Sequence, residues 1–505
     1  MTPKESLKNL GYDDDVIVKI LEWNNKSLPE TLNYYIEKTF NYFIKKGYTK
    51  DEIIKMTKKL PTLFGYSEEN LNQKYQYFIE KGYTLEGIIK MTKILPTLFG
   101  LSEETLNNKY QYFINRGYTK DELIKMTKIF PTLFGLSEEN LNQKYQYFIK
   151  KGYTLEDIIK MTKKLPTLFG YSEENLNQKY QYFIKKGYTK DEIIKMTKTL
   201  PALFSYSEEN LNQKYQYFIN KGYTLEEIVK MTKKLPTLFG CSEEKLNNKY
   251  QYFIEKGYTL NEIKKMTKKL PALFSLNEES LNKKYQYFIQ KGYTLEEVVK
   301  MTKTLPALSS YSEENLNNKY QYFIEKGYTK DEIIKMTKTL PALFSLNEES
   351  LNKKYQYFIE KGYTLEGIIK MTKTIPTMFS LSEENLDKKY QCFIEKGYTL
   401  EEIIKMTKTF PALFCLSEEN IEEKLSFYND INLLFIAIND TKQLMQSVEL
   451  SYARYMYFKE HGITIDESNY IRLFYDNKKF SKQYGITKEE LLERYKYDDE
   501  KRKKL

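Results

Sequence analysis

Two lysines recur in every copy of a repeated unit, and their neighbours suggest one kind of chemistry. The first series is Lys58, Lys93, Lys128, Lys163, Lys198, Lys233, Lys268, Lys303, Lys338, Lys373 and Lys408. In the first copy Ile54 lies four residues earlier and Lys55 three earlier, so no acid on the same helix neutralises Lys58. The second series is Lys74, Lys109, Lys144, Lys179, Lys214, Lys249, Lys284, Lys319, Lys354 and Lys389, with Lys424 in a worn last copy. Asn70, Leu71, Tyr77 and Phe78 flank Lys74 at helical spacing. Unneutralised ammonium groups at a fixed repeat suit phosphates, which supply most nucleic-acid affinity and no sequence information. Both series are therefore expected to touch phosphate. Lys81, and Arg116 in the next copy, follow Tyr77 on one face, giving a basic stripe with an aromatic between. Tyr77 itself is expected to pack between repeats. Lys55, Lys90 and Lys125 differ, because Asp51, Glu86 and Asp121 precede them by one helical turn.

Variation is concentrated at a few positions. One carries Lys59, Ile94, Ile129, Lys164 and Thr199; another carries Tyr66, Leu101 and Tyr171. On a constant scaffold such positions are candidates for reading successive bases. Duplication followed by drift is the favoured explanation, and Ile or Leu can at best meet a thymine methyl. Thr62 accompanies Gly65 and Ala202 accompanies Ser205, while Thr377 with Ser380 departs from that pairing.

The remaining composition excludes more than it proposes. One histidine, His461, and three cysteines, Cys241, Cys392 and Cys415, leave no histidine metal site, no repeated His-based triad and no disulfide framework. No phosphate-cradling glycine loop or nucleophile–base pair is visible, so neither an enzyme nor a cofactor is expected. Net charge is only +10, from 79 basic and 69 acidic residues, so any polyanion argument rests on where the charges lie. The N-terminus has no apolar segment of a signal peptide and is not Arg-rich. A cytoplasmic protein is expected, nucleoid-associated in a bacterium; an organelle would need a transit peptide that is not evident. No apolar run approaches a membrane span.

The elements that position the lysines follow from a 35-residue period. Copies run without insertion from Tyr48, so prolines recur from Pro61 to Pro411 and glycines from Gly47 to Gly397. Such a period signals a solenoid. In the first intact copy helix A starts at Thr49 with Glu52 three residues on, a capping box. It ends before Pro61, which disfavours helix in the preceding residue. Pro61–Gly65 is expected to be a 3₁₀ turn, and Ser67 to cap helix B, which closes at a left-handed Gly82. Ile53, Met56 and Leu60 form the apolar stripe of helix A, and Leu71, Tyr75, Phe78 and Ile79 that of helix B. The expected architecture is all-α, a right- or left-handed superhelical solenoid. Residues 1–47 are a degenerate N-terminal cap, 48–431 hold eleven repeats, and 432–505 are a degenerate repeat and C-terminal cap. In the last region Ser447–Gly462 reads as a final helix B, with Arg454 in the place of Lys74, and Thr487 with Glu490 as a capping box.

The unit GYTKDEIIKMTKKLPTLFGYSEENLNQKYQYFIEKG resembles the mTERF (mitochondrial transcription termination factor) repeat. The likeness lies in the Gly-Tyr-Thr start, the Pro-x-Leu-Phe turn, the Ser cap and the terminal Gly. It covers most of the chain, and KKFSKQYGITKEELLERY resembles the end of such proteins. The resemblance implies an all-α superhelix that binds nucleic acid, most often double-stranded DNA, in transcription or related gene expression. RNA is the other nucleic-acid partner to test; no membrane partner and a monomer are expected. YTLEEIVKMTKK also resembles the first helix of transcription-activator-like effector repeats, though Leu-Pro stands where those carry a base-reading glycine loop. The alternatives are a modular one-repeat-per-base reader and a protein-binding scaffold, whose affinity would respond little to salt.

Overall fold

The computed structural model describes residues 2–23 and 29–497, and the described residues contain helices and no strand. The chain divides into two compact units, Met1–Asn248 and Lys249–Leu505. Each is a stack of helix–3₁₀–helix layers, the solenoid that the period implies.

Local chemistry sets each layer. In the first intact copy helix A is Lys50–Lys59, the 3₁₀ turn is Pro61–Gly65 and helix B is Glu68–Glu80. The Thr49 hydroxyl accepts the Glu52 amide at 3.3 Å, and a Glu52 carboxylate oxygen accepts the Thr49 amide at 2.8 Å. Helix A stops at Leu60, held out of helical geometry by Pro61. The Ser67 hydroxyl accepts the Asn70 amide at the start of helix B. At its end Gly82 takes φ +96°, and the Tyr83 amide returns to the Phe78 carbonyl. A β-carbon would oppose that left-handed turn. Where Ala202, Ala307 or Ala342 precedes a serine at the turn's end, that serine hydroxyl bonds the alanine carbonyl and the turn is a residue shorter. Thr377 with Ser380 keeps the longer turn.

The core lies between layers. Ile53, Met56, Leu63, Phe64, Leu71, Tyr75 and Phe78 are buried in the first copy, and Phe78 meets Tyr83 edge-on and Phe134 two layers ahead. A polar relay crosses it. The Tyr48 hydroxyl meets the Tyr75 hydroxyl at 2.6 Å and that of Thr92, in the next layer, at 2.5 Å. Thr92 in turn donates to the Ile88 carbonyl, so these buried hydroxyls are satisfied.

One stripe residue is misplaced by the periodicity. Ile79 is 47% exposed, and its counterparts in every later copy up to Ile394 are 36–45% exposed. The buried face of helix B comprises Leu71, Lys74, Tyr75, Tyr77 and Phe78. At 100° per residue Ile79 stands roughly 110° from the centre of that face.

The ends repeat the pattern loosely. Pro3–Asn9, Asp14–Trp23 and Pro29–Lys46 precede the first intact copy. Val448–Glu460 is the final helix B, capped by Ser447. Arg454, almost fully buried there, donates to the Leu473 and Tyr475 carbonyls. Thr487 and Glu490 form the anticipated capping box on Lys488–Arg494. The basic tail 501–505 lies outside the described residues.

Candidate nucleic-acid interface

The lysines of the Lys58 series are not unneutralised. Lys93 Nζ lies 2.5 Å from Glu52, the same carboxylate that closes the helix-A capping box one layer earlier. Equivalent pairs join Lys163 to Glu122, Lys198 to Asp157 and Lys233 to Glu192 in the first unit, while Lys58 pairs with Asp13, the residue just before the helix Asp14–Trp23. In the second unit Lys303 pairs with Glu262, Lys338 with Glu297 and Lys373 with Glu332. Lys268 is not free either. The ammonium of Lys303 and the Thr259 amide hold the Glu262 carboxyl down at about 2, well below the ordinary glutamate value. Lys93, then the Thr49 amide, act likewise on Glu52. The expectation of unpaired ammonium groups here is therefore corrected: their partners are one layer back, beyond any i±4 search. Lys128 and Lys408 differ from the rest, because Gly87 and Gly367 stand where the carboxylate would be.

The Lys74 series is corrected more strongly. Lys74, Lys109, Lys144, Lys179, Lys214, Lys249, Lys284, Lys319, Lys354, Lys389 and Lys424 are all buried. Lys74 donates to the Leu101 carbonyl at 2.5 Å, in the loop before the next helix B. Lys109, Lys179 and Lys214 do the same to Leu136, Tyr206 and Cys241, and Lys144 to Tyr171. Lys319, Lys354 and Lys389 reach Leu346, Leu381 and Phe414 in the second unit. Burial holds Lys74 below the ordinary lysine range, with Glu103 pulling it partly back. These lysines staple one layer to the next. The ammonium satisfies a loop carbonyl and is itself satisfied, which is how a buried cation is tolerated.

The third series remains. Lys81 Nζ lies 5.2 Å from the centre of the Tyr77 ring and 5.5 Å from that of Tyr110 in the next layer. Lys46, Arg116, Lys151 and Lys186 bridge two rings in the same way, as do Lys256, Lys291 and Lys326 in the second unit. None of these eight has an ion-paired carboxylate; Lys361 in the same series does, on Asp387. A cation–π seat orients an ammonium without cancelling its charge. The tyrosine below is buried as expected, and its hydroxyl donates to the exposed Asn107 of the next layer at 2.9 Å. That bond occupies the Asn107 amide oxygen and leaves its NH₂ group as a second donor beside the cation. Lys81 was legible as part of a basic stripe. What singles it out, the ring of the following layer, was not.

The variable positions divide. Ile94 and Ile129 are exposed, and Lys59 and Lys164 lie along the surface, donating to the Ile94 and Thr199 carbonyls one layer on. The other position is tied to packing. The Tyr66 hydroxyl lies 2.7 Å from where a β-carbon on Gly100 would stand, and that of Tyr206 2.9 Å from the same place on Gly240. At Leu101 and Tyr171 the backbone carbonyl receives the buried lysine, whatever the side chain.

Between successive B helices lie open clefts of mixed charge; one of about 550 Å³ is lined by Glu174, Asn177, Gln178, Gln181, Tyr182, Lys185 and Glu208. Among the described residues no group of three His, Cys, Asp or Glu side chains could hold a metal, and no helix is long and apolar enough to cross a membrane. The family model described as mTERF matches residues 3–162, 151–263, 256–371 and 361–431. No curated protein matches the chain.

Proposed function

Since the chain belongs to the mTERF family of non-catalytic helical-repeat proteins, we propose that it binds nucleic acid and acts in gene expression. Duplex DNA is the favoured partner. The single observation that carries this reading is the Lys81 series, in eight layers of which the cation is seated over two tyrosine rings without an ion-paired carboxylate. The phosphate-contact role expected of the Lys58 and Lys74 series passes to Lys46, Lys81, Arg116, Lys151 and Lys186 in the first unit. Lys256, Lys291 and Lys326 take it in the second. These residues contact phosphate and carry no base readout, so binding is largely independent of sequence.

Fluorescence anisotropy with random duplex DNA and random single-stranded RNA, each labelled, tests the reading. Five phosphate contacts in the first unit alone correspond to a log–log salt slope of about −4.5, or about 500-fold weaker binding between 50 and 200 mM salt. No binding to either probe at low salt would sink it. The exposed isoleucines of the B helices, Ile79, Ile114, Ile149, Ile184 and Ile219 in the first unit, favour a second reading, an apolar protein partner, and that contact would barely respond to salt.

A further inference from the structure

The fourth residue of the 3₁₀ turn is phenylalanine in every repeat from Phe64 to Phe414 except one, which carries Ser309. One layer later, in the same unit, the ring shows its usual setting. Phe344 packs with its centre 5.7 Å from that of Phe288, edge-on, and 5.5 Å from that of Tyr320. The 35-residue offset makes Phe253 and Tyr285 the corresponding neighbours of Ser309. The backbone of the turn is unchanged. Pro306–Ser309 is 3₁₀, and the Leu308 amide bonds the Leu305 carbonyl at 3.1 Å, as Leu343 bonds Leu340. A six-carbon ring has been deleted from a conserved backbone setting.

Nothing in the layer is enlarged in return. Val298, buried on the helix A before the turn, stands where the other repeats carry Ile or Leu. Phe253 meets the Tyr252 and Tyr258 rings, and no third ring joins it from Ser309's layer. Phe253 and Tyr285 remain buried, as in the sister layers, so the space left by the ring lies within the packed array. The Phe274 and Phe344 rings are each 7% exposed, which places the rim of that space at the surface. Ser309 is only 5% exposed, and its hydroxyl has no hydrogen-bond partner among the described residues. A buried hydroxyl left unpaired is costly, and in the sister layers an apolar ring stands at this place instead.

We propose that the space between Ser309, Phe253 and Tyr285 binds a small single-ring aromatic molecule, best one that carries a hydroxyl. The sister layers supply the precedent inside the same chain, because a phenyl ring fills the equivalent place edge-on to the equivalent phenylalanine. Neighbours close only part of the space left by a deleted core ring. An apolar space on the order of 150 Å³ takes up benzene. The Ser309 hydroxyl supplies the one polar anchor, able to donate to or accept from a phenolic hydroxyl. The site is independent of the tyrosine-seated cations and of nucleic-acid binding.

The test uses the full chain, with benzene and phenol as probes in saturation-transfer NMR. Wild type should bind both saturably. Ser309→Phe restores the residue of the sister layers, so it should fold, melt at a higher temperature and lose the signal of both probes. Ser309→Ala keeps the space and removes the anchor; it should bind benzene as wild type does and phenol about 3- to 10-fold more weakly. Absence of binding to wild type, or equal binding to Ser309→Phe, overturns the proposal. A lower melting temperature for Ser309→Phe, the mark of a space already closed by repacking, overturns it as well. Unchanged phenol affinity in Ser309→Ala removes the hydroxyl from the site.

Discussion

Glu52 and Lys93 lie 2.5 Å apart in adjacent layers, and the same carboxylate also closes the cap of its own helix. One side chain thus starts a helix and ties it to the next. The residue that stabilises the layer locally also cancels the charge of a lysine that would otherwise face solvent. The array's surface potential is set by which lysines escape this neutralisation.

Glu192→Gln should keep the cap bond to Thr189 and lose only the ion pair with Lys233. Both partners are about 30% exposed, so the loss should be under about 1 kcal/mol. Glu192→Ala removes the cap bond as well and should cost about 1 kcal/mol more. A double-mutant cycle with Lys233→Met, read by urea unfolding, separates the two contributions; equal effects of Gln and Ala would contradict the shared role.

Lys179→Met should destabilise by about 1–3 kcal/mol, because it leaves the part-buried Tyr206 carbonyl without its donor. Affinity of the folded protein for duplex DNA should not change. Anisotropy below the unfolding transition checks this, and a large loss of affinity with unchanged stability would return this lysine to the interface.

Phe78→Ala and Ile79→Ala test the corrected helix-B face. The first removes a fully buried ring and should cost about 3–5 kcal/mol. The second alters a half-exposed chain and should stay within about 0.5 kcal/mol. Comparable losses would put Ile79 back in the core.

Acid should loosen the array in a defined window. The carboxyls of Glu52 and Glu262 have folded-state values below their ordinary one, Glu262 at about 2. Their contribution is fully present above the unfolded-state value of about 4.3 and is lost as pH falls from there towards about 2. Thermal unfolding should therefore be flat from about pH 6 to pH 8 and fall below about pH 4.5. The Glu262→Gln variant should have a shallower acid limb than the wild type; an identical limb would exclude this pair as a source.

The fold was legible because its determinants are local. Thr49 with Glu52, the Leu60–Pro61 stop, the Ser67 cap and the Gly82 turn each lie within a few residues. The site was less legible because its determinants cross layers. Lys93 is one helical turn from Lys90 in sequence, but its partner Glu52 is forty-one residues back. Lys74 has a polar sequence context, yet the Leu101 loop of the next layer covers it. A constant forty-one-residue offset between the cap acids and the lysines was present in the repeat, broken only where Gly87 and Gly367 replace the acid in intact copies. It could be used only once the stacking of layer on layer was known.

The most direct measurement is the salt dependence of duplex-DNA binding by a variant with Lys46, Lys81, Arg116, Lys151 and Lys186 all changed to Gln. Each lost phosphate contact should remove about 0.9 from the log–log slope, so the slope should flatten by about 4 to 5 and binding at low salt should weaken severely. A variant with Lys93, Lys163, Lys198 and Lys233 changed to Gln should keep a near wild-type slope. The reverse ranking, or no change in the first variant, would contradict the assignment of the phosphate track to the tyrosine-seated cations.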